Sequence, residues 1–520
     1  MLRTIDLRTF FTALILLAAA SAASSASAHL EEGGSDHHAG SAIAAPTSYQ
    51  GQVSDHQPPV TATRIDGQPD TEGLDPLVQE SIRFHNRDKK IVPMTSVGFG
   101  MHPSLIRVPD WVPASERPHP SAKYYLYSAG HSGKSIHMAW SDSLTGKWQR
   151  WNPLGSDEHD GRAWGVEGNN TGAQTRGRGV VDLDIGPVAP PVTEPNGRTV
   201  NPGHYIDLGD VELEGHISSP EVIVDHHNKR FILWMHGHYR SEFNPGQVGR
   251  GRYHSTVVGT SKYGLNFNIE EDGGEPGYGL RDLVITGTYT RFLQIDAIID
   301  GEKILQTIGV DRSGILYMAP LYTDAGENAT LANADEPGGL FMPGKEYVNT
   351  GGRYWTMLRD AEGQLVRPHA GAKRHPDVIP PDDPKLIRGG GRHVDIWYDP
   401  ENDRDTIYYF YTSTGDRPEA VLMTRVSLAG LSEEDRIDPM KWKRIDDQEH
   451  LILKPELVWE GAQKPLKTSV SGAKSQGNFM RSPHVFYDGD SGKLYFLYNG
   501  DGESKIGLAE LSIRTAPRGD

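Results

Sequence analysis

The side chains best able to move protons or grip a polyol recur at comparable places along the chain. They are His102, then His216 with Glu221, then Asp296, then Arg392, His393 and Asp395, then Arg481. Imidazole, carboxylate and guanidinium together suit a pocket that holds hydroxyl groups and transfers protons, because neighbouring charges tune each group's hold on its proton. Glu221, Asp296 and Asp395 are the catalytic candidates. His102, His131, His216, His236, Arg392, His393 and Arg481 are the candidates for holding substrate, with His131, His236 and His238 placed after later strands, where they would join a rim. Each also has a plainer reading. A lone histidine at a strand start is more often a hydrogen-bonded structural residue, and only convergence on one pocket changes that balance.

Convergence needs a scaffold that gathers residues from 102 to 481, and the sequence supplies a repeat. An apolar strand start, a turn with Asp or Gly, a Tyr-rich strand and a further strand recur five times, beginning at Met101, Ser219, Leu293, Arg392 and Arg481. A small sheet cannot bury its face alone, so five copies predict an all-β, five-bladed β-propeller with long inter-blade loops. The first strand of each blade would line a central channel, bringing the leading residues to one mouth. Stretches 152–215 and 322–391 are too long for turns and read as loops that shape a cleft. The expected organisation is a signal peptide at 1–28, a flexible leader at 29–90 and the propeller domain at 91–515.

Composition agrees. In 520 residues, 59 Gly and 35 Pro break the chain often, while 21 Tyr, 13 Phe and 10 Trp supply bulky strand formers. A formal charge of −17 offers no basic footprint for nucleic acid. Arg3 and Arg8, the apolar run from Phe10 to Ala23 and Ala26-Ser27-Ala28 read as a cleavable secretory signal, which predicts a periplasmic or secreted protein with no membrane span after cleavage. The absence of Cys removes disulfides, thiolate metal sites and cysteine nucleophiles. Gly389-Gly390-Gly391 lacks the Lys-Ser or Lys-Thr step of a phosphate loop, and neither a serine nucleophile elbow nor a His-Glu-x-x-His helix occurs.

The segments GMHPSLIRV (100–108), AWSDSLTGKW (139–148), HISSPEV (216–222), WEGA (459–462) and GESKIGLAEL (502–511) occur in this order. Over residues 95 to 511 the chain resembles bacterial five-bladed β-propeller proteins related to the family 43 glycoside hydrolases. The resemblance implies export and a carbohydrate substrate. It points to a glycoside hydrolase acting on a polysaccharide or oligosaccharide by acid/base catalysis in the channel. No cofactor is required, although relatives sometimes hold calcium there, so a structural Ca2+ is a further expectation. Hydrolases of the wider clan use three carboxylates, and an inverting pair stands about 6.5 to 9.5 Å apart to admit water. The departures matter: His102 and Ser482 stand where Asp is usual, and Glu221 where Asp is commoner. Two other readings stay open. A polysaccharide lyase would take the C5 proton of a uronic acid with a His or Tyr base while Arg392 or Arg481 neutralises the carboxylate, and a binding-only propeller would need neither.

Overall fold

Strands such as Tyr124–Ala129 and Ser135–Ser141 are buried at every position, so both faces of their sheet are covered and the usual alternation of apolar and polar residues disappears. A computed structural model describes residues 59–66, 101–129, 134–151, 179–183, 192–193, 199–200, 205–207, 211–226, 229–241, 253–267, 279–284, 289–299, 302–312, 314, 316–318, 356–357, 368, 372–380, 391–400, 402–468 and 476–513. They all belong to one compact unit, residues 58–248 with 252–520. The architecture is all-β. Among the described residues the single α-helix is the one-turn Glu433–Arg436, capped by the Ser432 side chain. No described helix is long and apolar enough to cross a membrane.

Five antiparallel sheets carry the chain. Sheet I contains Met101–Arg107, Tyr124–Ala129, Ser135–Ser141 and Gln149–Arg150, with Val181–Asp182 also on its third strand. Sheet II runs Tyr205–Asp207, Val211–Asp225, Arg230–Ser241, Tyr253–Ser261 and Gly279–Val284. Sheet III contains Arg291–Ile299, Glu302–Val310, Leu316–Met318 and Thr356–Met357. Sheet IV contains Gly391–Asp399, Asp403–Ser413, Val421–Ser427 and Lys443–Arg444, with His450–Leu453 on its third strand. Sheet V contains Arg481–Asp488, Lys493–Gly500, Lys505–Ile513 and, beside the last, Val60–Ile65.

Alternate side chains of the second strands of sheets I, II, IV and V go to opposite neighbours, as a period of two dictates. Tyr125 and Tyr127 of sheet I pack with Phe231, Leu233 and Met235 of sheet II, while Tyr124 and Leu126 pack with Tyr495 and Leu497 of sheet V. Tyr409 and Tyr411 of sheet IV join Ile295 and Ile308 of sheet III, while Tyr408 and Phe410 join Phe496 and Tyr498 of sheet V. Between sheets II and III, Trp234 stacks on Phe292 with ring centroids 4.4 Å apart. Each such buried side chain contributes ~1.5–3 kcal/mol of burial, which substitutes for the absent disulfides.

Three expectations change. The stretch read as a flexible leader contains Val60–Ile65, which pairs antiparallel with Lys505–Ile513 from Val60 opposite Ile513 to Ile65 opposite Leu508. Arg64 there reaches the buried Glu460 at 2.7 Å, and Glu460 also accepts the Tyr498 hydroxyl at 2.8 Å. The long connections are not all loop: 152–215 supplies the short strands of sheets I and II and the separate pair Val192–Thr193 and Thr199–Val200, and 322–391 supplies Thr356–Met357. The third copy begins at Arg291 and not at Leu293, because it lacks the X-Pro step that marks the first, second and fifth copies. The proposed signal peptide lies outside the described residues.

Candidate active site

Each sheet brings two residues to the site, two positions apart, at or just before an irregularity in its first repeat strand; in sheet III the first of the two precedes Arg291–Ile299. The first member of each pair is His102, Ser219, Tyr289, His393 or Ser482. The second is Ser104, Glu221, Arg291, Asp395 or His484. His102, Ser219, Tyr289 and Ser482 all have left-handed backbones, with φ between 50° and 59°. At Met101/Ser104, Ser218/Glu221, Gly391/His393 and Arg481/His484 the strand register shifts. Such bulges re-aim side chains, and a left-handed non-glycine costs on the order of 1–3 kcal/mol, so the surrounding packing holds a strained arrangement in place.

The second members tie the sheets together. The Val222 N–H donates to Ser104 Oγ at 2.9 Å and the Phe292 N–H to Glu221 Oε2 at 3.0 Å. The Val485 N–H donates to Asp395 Oδ2 at 2.5 Å and the Leu105 N–H to His484 Nε2 at 3.0 Å. Arg291 donates to the carbonyls of Pro220 at 2.9 Å and Pro103 at 3.3 Å. Burial, helped by Asp395, pushes the Glu221 carboxyl up to about 8, and burial raises Asp395 to about 6. Burial and then Arg291 lower His484 to about 3. At neutral pH this layer therefore balances one guanidinium with one carboxylate, leaving Glu221 protonated and His484 neutral.

The first members form a nitrogen-rich cluster. The His102 ring meets His393 edge-on at 4.1 Å between centroids and lies 4.6 Å from Tyr289. Tyr289 is also 5.0 Å from His393 and 4.6 Å from His236. Ser482 Oγ sits 3.4 Å from His102 Nδ1 and 3.2 Å from His393 Nδ1. The Ser482 N–H also donates to His393 Nδ1, which places the ring proton on Nε2, 3.9 Å from Glu503. Ser219 Oγ touches His236 Nδ1 at 3.2 Å. Burial, with His102, Arg392, Arg481 and Arg312 adding to it, holds His393 well below the usual histidine range and so uncharged. Burial, with Glu503 beside it, raises the Tyr289 phenol against the pull of Arg312, Arg392 and Arg481, so it keeps its proton.

The sequence candidates distribute unevenly. His102, His236 and His393 converge, and His216 flanks them with its ring 5.0 Å from His236 and 5.1 Å from His238. Glu221 and Asp395 lie in the tying layer. Arg392 and Arg481 are nearby but share Glu419 at 2.7 and 2.9 Å, and Arg481 also holds Glu503 at 3.1 Å. Asp296 lies mid-strand opposite Leu305, downstream of the leading position that belongs to Tyr289. Its side chain lies outside the described residues, as does His131. Sequence reasoning missed Tyr289, Arg291 and Arg312, and treated Ser482 only as a departure. The signal for Tyr289 is its offset of two from Arg291, matching His102 with Ser104.

Among the described residues no group of three or more His, Asp or Glu is arranged to hold a metal ion. Calcium requires oxygen ligands, and the imidazole-rich first layer does not fit it.

No family model matches the chain. Among curated proteins it is similar to an uncharacterized protein of Acanthamoeba polyphaga mimivirus, 23% identical over 418 residues, spanning 79% of this chain and 82% of that one. Among solved structures it is similar to an α-L-arabinofuranosidase from Lactobacillus brevis, with 10% identity, 80% of this chain and 91% of that chain covered, and a TM-score of 0.34. A glycosyl hydrolase from Bacteroides ovatus gives 11%, 86%, 94% and 0.37 in the same terms. An α-L-arabinanase from Cellvibrio cellulosa gives 13%, 79%, 91% and 0.32. These structural neighbours are glycoside hydrolases.

Proposed function

We propose that the chain is an exported, five-bladed propeller enzyme acting on carbohydrate, and that its pocket cleaves a uronic-acid-containing glycan by β-elimination. The basic start and apolar run before residue 28 support export, and the five sheets joined through their leading strands support the propeller. The single observation that carries the chemistry is Tyr289, protonated and wrapped by His102, His236 and His393. In this reading His102, packed edge-on against the uncharged His393, takes the C5 proton and Tyr289 gives its proton to the glycosidic oxygen. The C5–H and C4–O bonds break and a C4=C5 double bond forms. A base and an acid so poised contribute typically 10²–10⁴-fold each. Incubation with uronate-containing plant and algal polysaccharides tests this: elimination gives the ultraviolet absorbance of an unsaturated uronide. New reducing ends without that absorbance would replace elimination by hydrolysis.

Hydrolysis is the second reading, and one observation favours it. Glu221 keeps its proton at neutral pH, as a general acid must. Its bond from the Phe292 N–H and its place in the tying layer weigh against it.

A further inference from the structure

Four arginines surround the cluster, and three are already committed. Arg291 is spent on the Pro103 and Pro220 carbonyls. Arg392 and Arg481 share Glu419, and Arg481 adds Glu503. Arg312 differs. It follows Glu302–Val310 of sheet III, is half-buried, and sets its guanidinium carbon 5.8 Å from the centre of the Tyr289 ring. Its carbonyl lies so near Gly391 that a methyl there would meet it at 3.0 Å, which places Arg312 beside the strand that carries His393. No ion pair of Arg312 occurs among the described residues. A guanidinium with no carboxylate partner among the described residues, partly open to solvent and lying over the proton-donating ring, is arranged to take an anion from outside the protein.

We infer that Arg312 receives the carboxylate of an acidic sugar, so that the pocket selects uronates over neutral sugars. The assignment rests on the carbohydrate reading above and places on Arg312 the role that the sequence reading offered to Arg392 or Arg481. The fork of donors matches a carboxylate bidentately, and held there the carboxylate would have its charge offset as C5 gives up its proton.

Direct binding tests it separately from catalysis. Galacturonic and glucuronic acid and their methyl esters are titrated calorimetrically into the parent, Arg312→Gln and Arg312→Lys proteins, with melting curves confirming that each is folded. A charge-assisted pair is worth about 1.5–3 kcal/mol, so Arg312→Gln should weaken binding of the preferred acid by roughly 10- to 100-fold, with Arg312→Lys falling between. Binding of the esters should not change. Equal affinity of the parent for acid and ester, or an unchanged affinity in Arg312→Gln, overturns the assignment. A parent that binds uronate through Arg312 yet forms no unsaturated product leaves the assignment standing and removes elimination.

Discussion

Replacing Glu221 by Gln separates the two chemistries. Burial lifts its carboxyl from an ordinary 4.5 to about 8. Between those values the unfolded chain has released this proton and the folded chain still holds it, so the group's contribution is full below 4.5 and declines as pH rises to about 8. At 1.36 kcal/mol per pH unit the gap amounts to about 5 kcal/mol. A glutamine carbonyl accepts the Phe292 N–H as the acid does and cannot ionise. Glu221→Gln should therefore match the parent in acid and exceed its stability by up to about 5 kcal/mol above pH 8. Denaturant unfolding of both proteins across that pH range reads the difference. Activity on the glycan should stay within a few-fold of the parent, whereas loss of a true general acid costs ~10²–10⁴-fold. A folded variant that loses about 10²-fold or more, or two stability profiles that run parallel, would refute the reasoning.

Other substitutions probe the rest. Tyr289→Phe should lower kcat by ~10²–10⁴-fold with an unchanged melting temperature, and near-parental turnover would exclude the phenol as the acid. Because His393 is held uncharged well below its usual range, with its Nδ1 accepting the Ser482 N–H, a nuclear magnetic resonance titration should find its ring unprotonated at the pH where an ordinary histidine is half charged, and an ordinary midpoint would count against the buried cluster. Arg64→Ala leaves the fully buried Glu460 carboxylate without its cation and should cost about 3–5 kcal/mol in an unfolding titration. A methyl at Gly507 would overlap the Tyr498 and Trp459 rings, so Gly507→Ala should lose ~1–3 kcal/mol by the same measurement.

The sheets were legible where local pattern and packing agree. Runs such as Tyr408-Tyr409-Phe410-Tyr411 are bulky strand formers that both flanking sheets accept, and X-Pro steps mark the bulges at His102, Ser219 and Ser482. Sheet III has no such mark, and its start read two residues late left Tyr289 outside the repeat, so that Asp296, seven positions downstream, was taken as its entry residue. The chemistry was harder to read because residue type does not reveal which partner a side chain has found. Glu221 and Asp395 look like acid and base in sequence, but neighbouring backbone N–H groups occupy them. Arg392 and Arg481 look like anion receptors, but Glu419 and Glu503, from connections between strands, hold them. The segment WEGA reads as a family motif. Its physical use is Glu460, which anchors Arg64 from the far end of the chain.

That anchor orders events during folding. Ile65 meets Leu508, and bringing together points separated by 443 positions (508 − 65) costs about 5 kcal/mol of chain entropy. The earliest-synthesised described strand thus waits, unpaired, until the final one exists. Once joined, the two act as a clasp: a cut in an intervening connection leaves the pieces held side by side, whereas removing either partner opens an edge that another molecule's matching strand can fill.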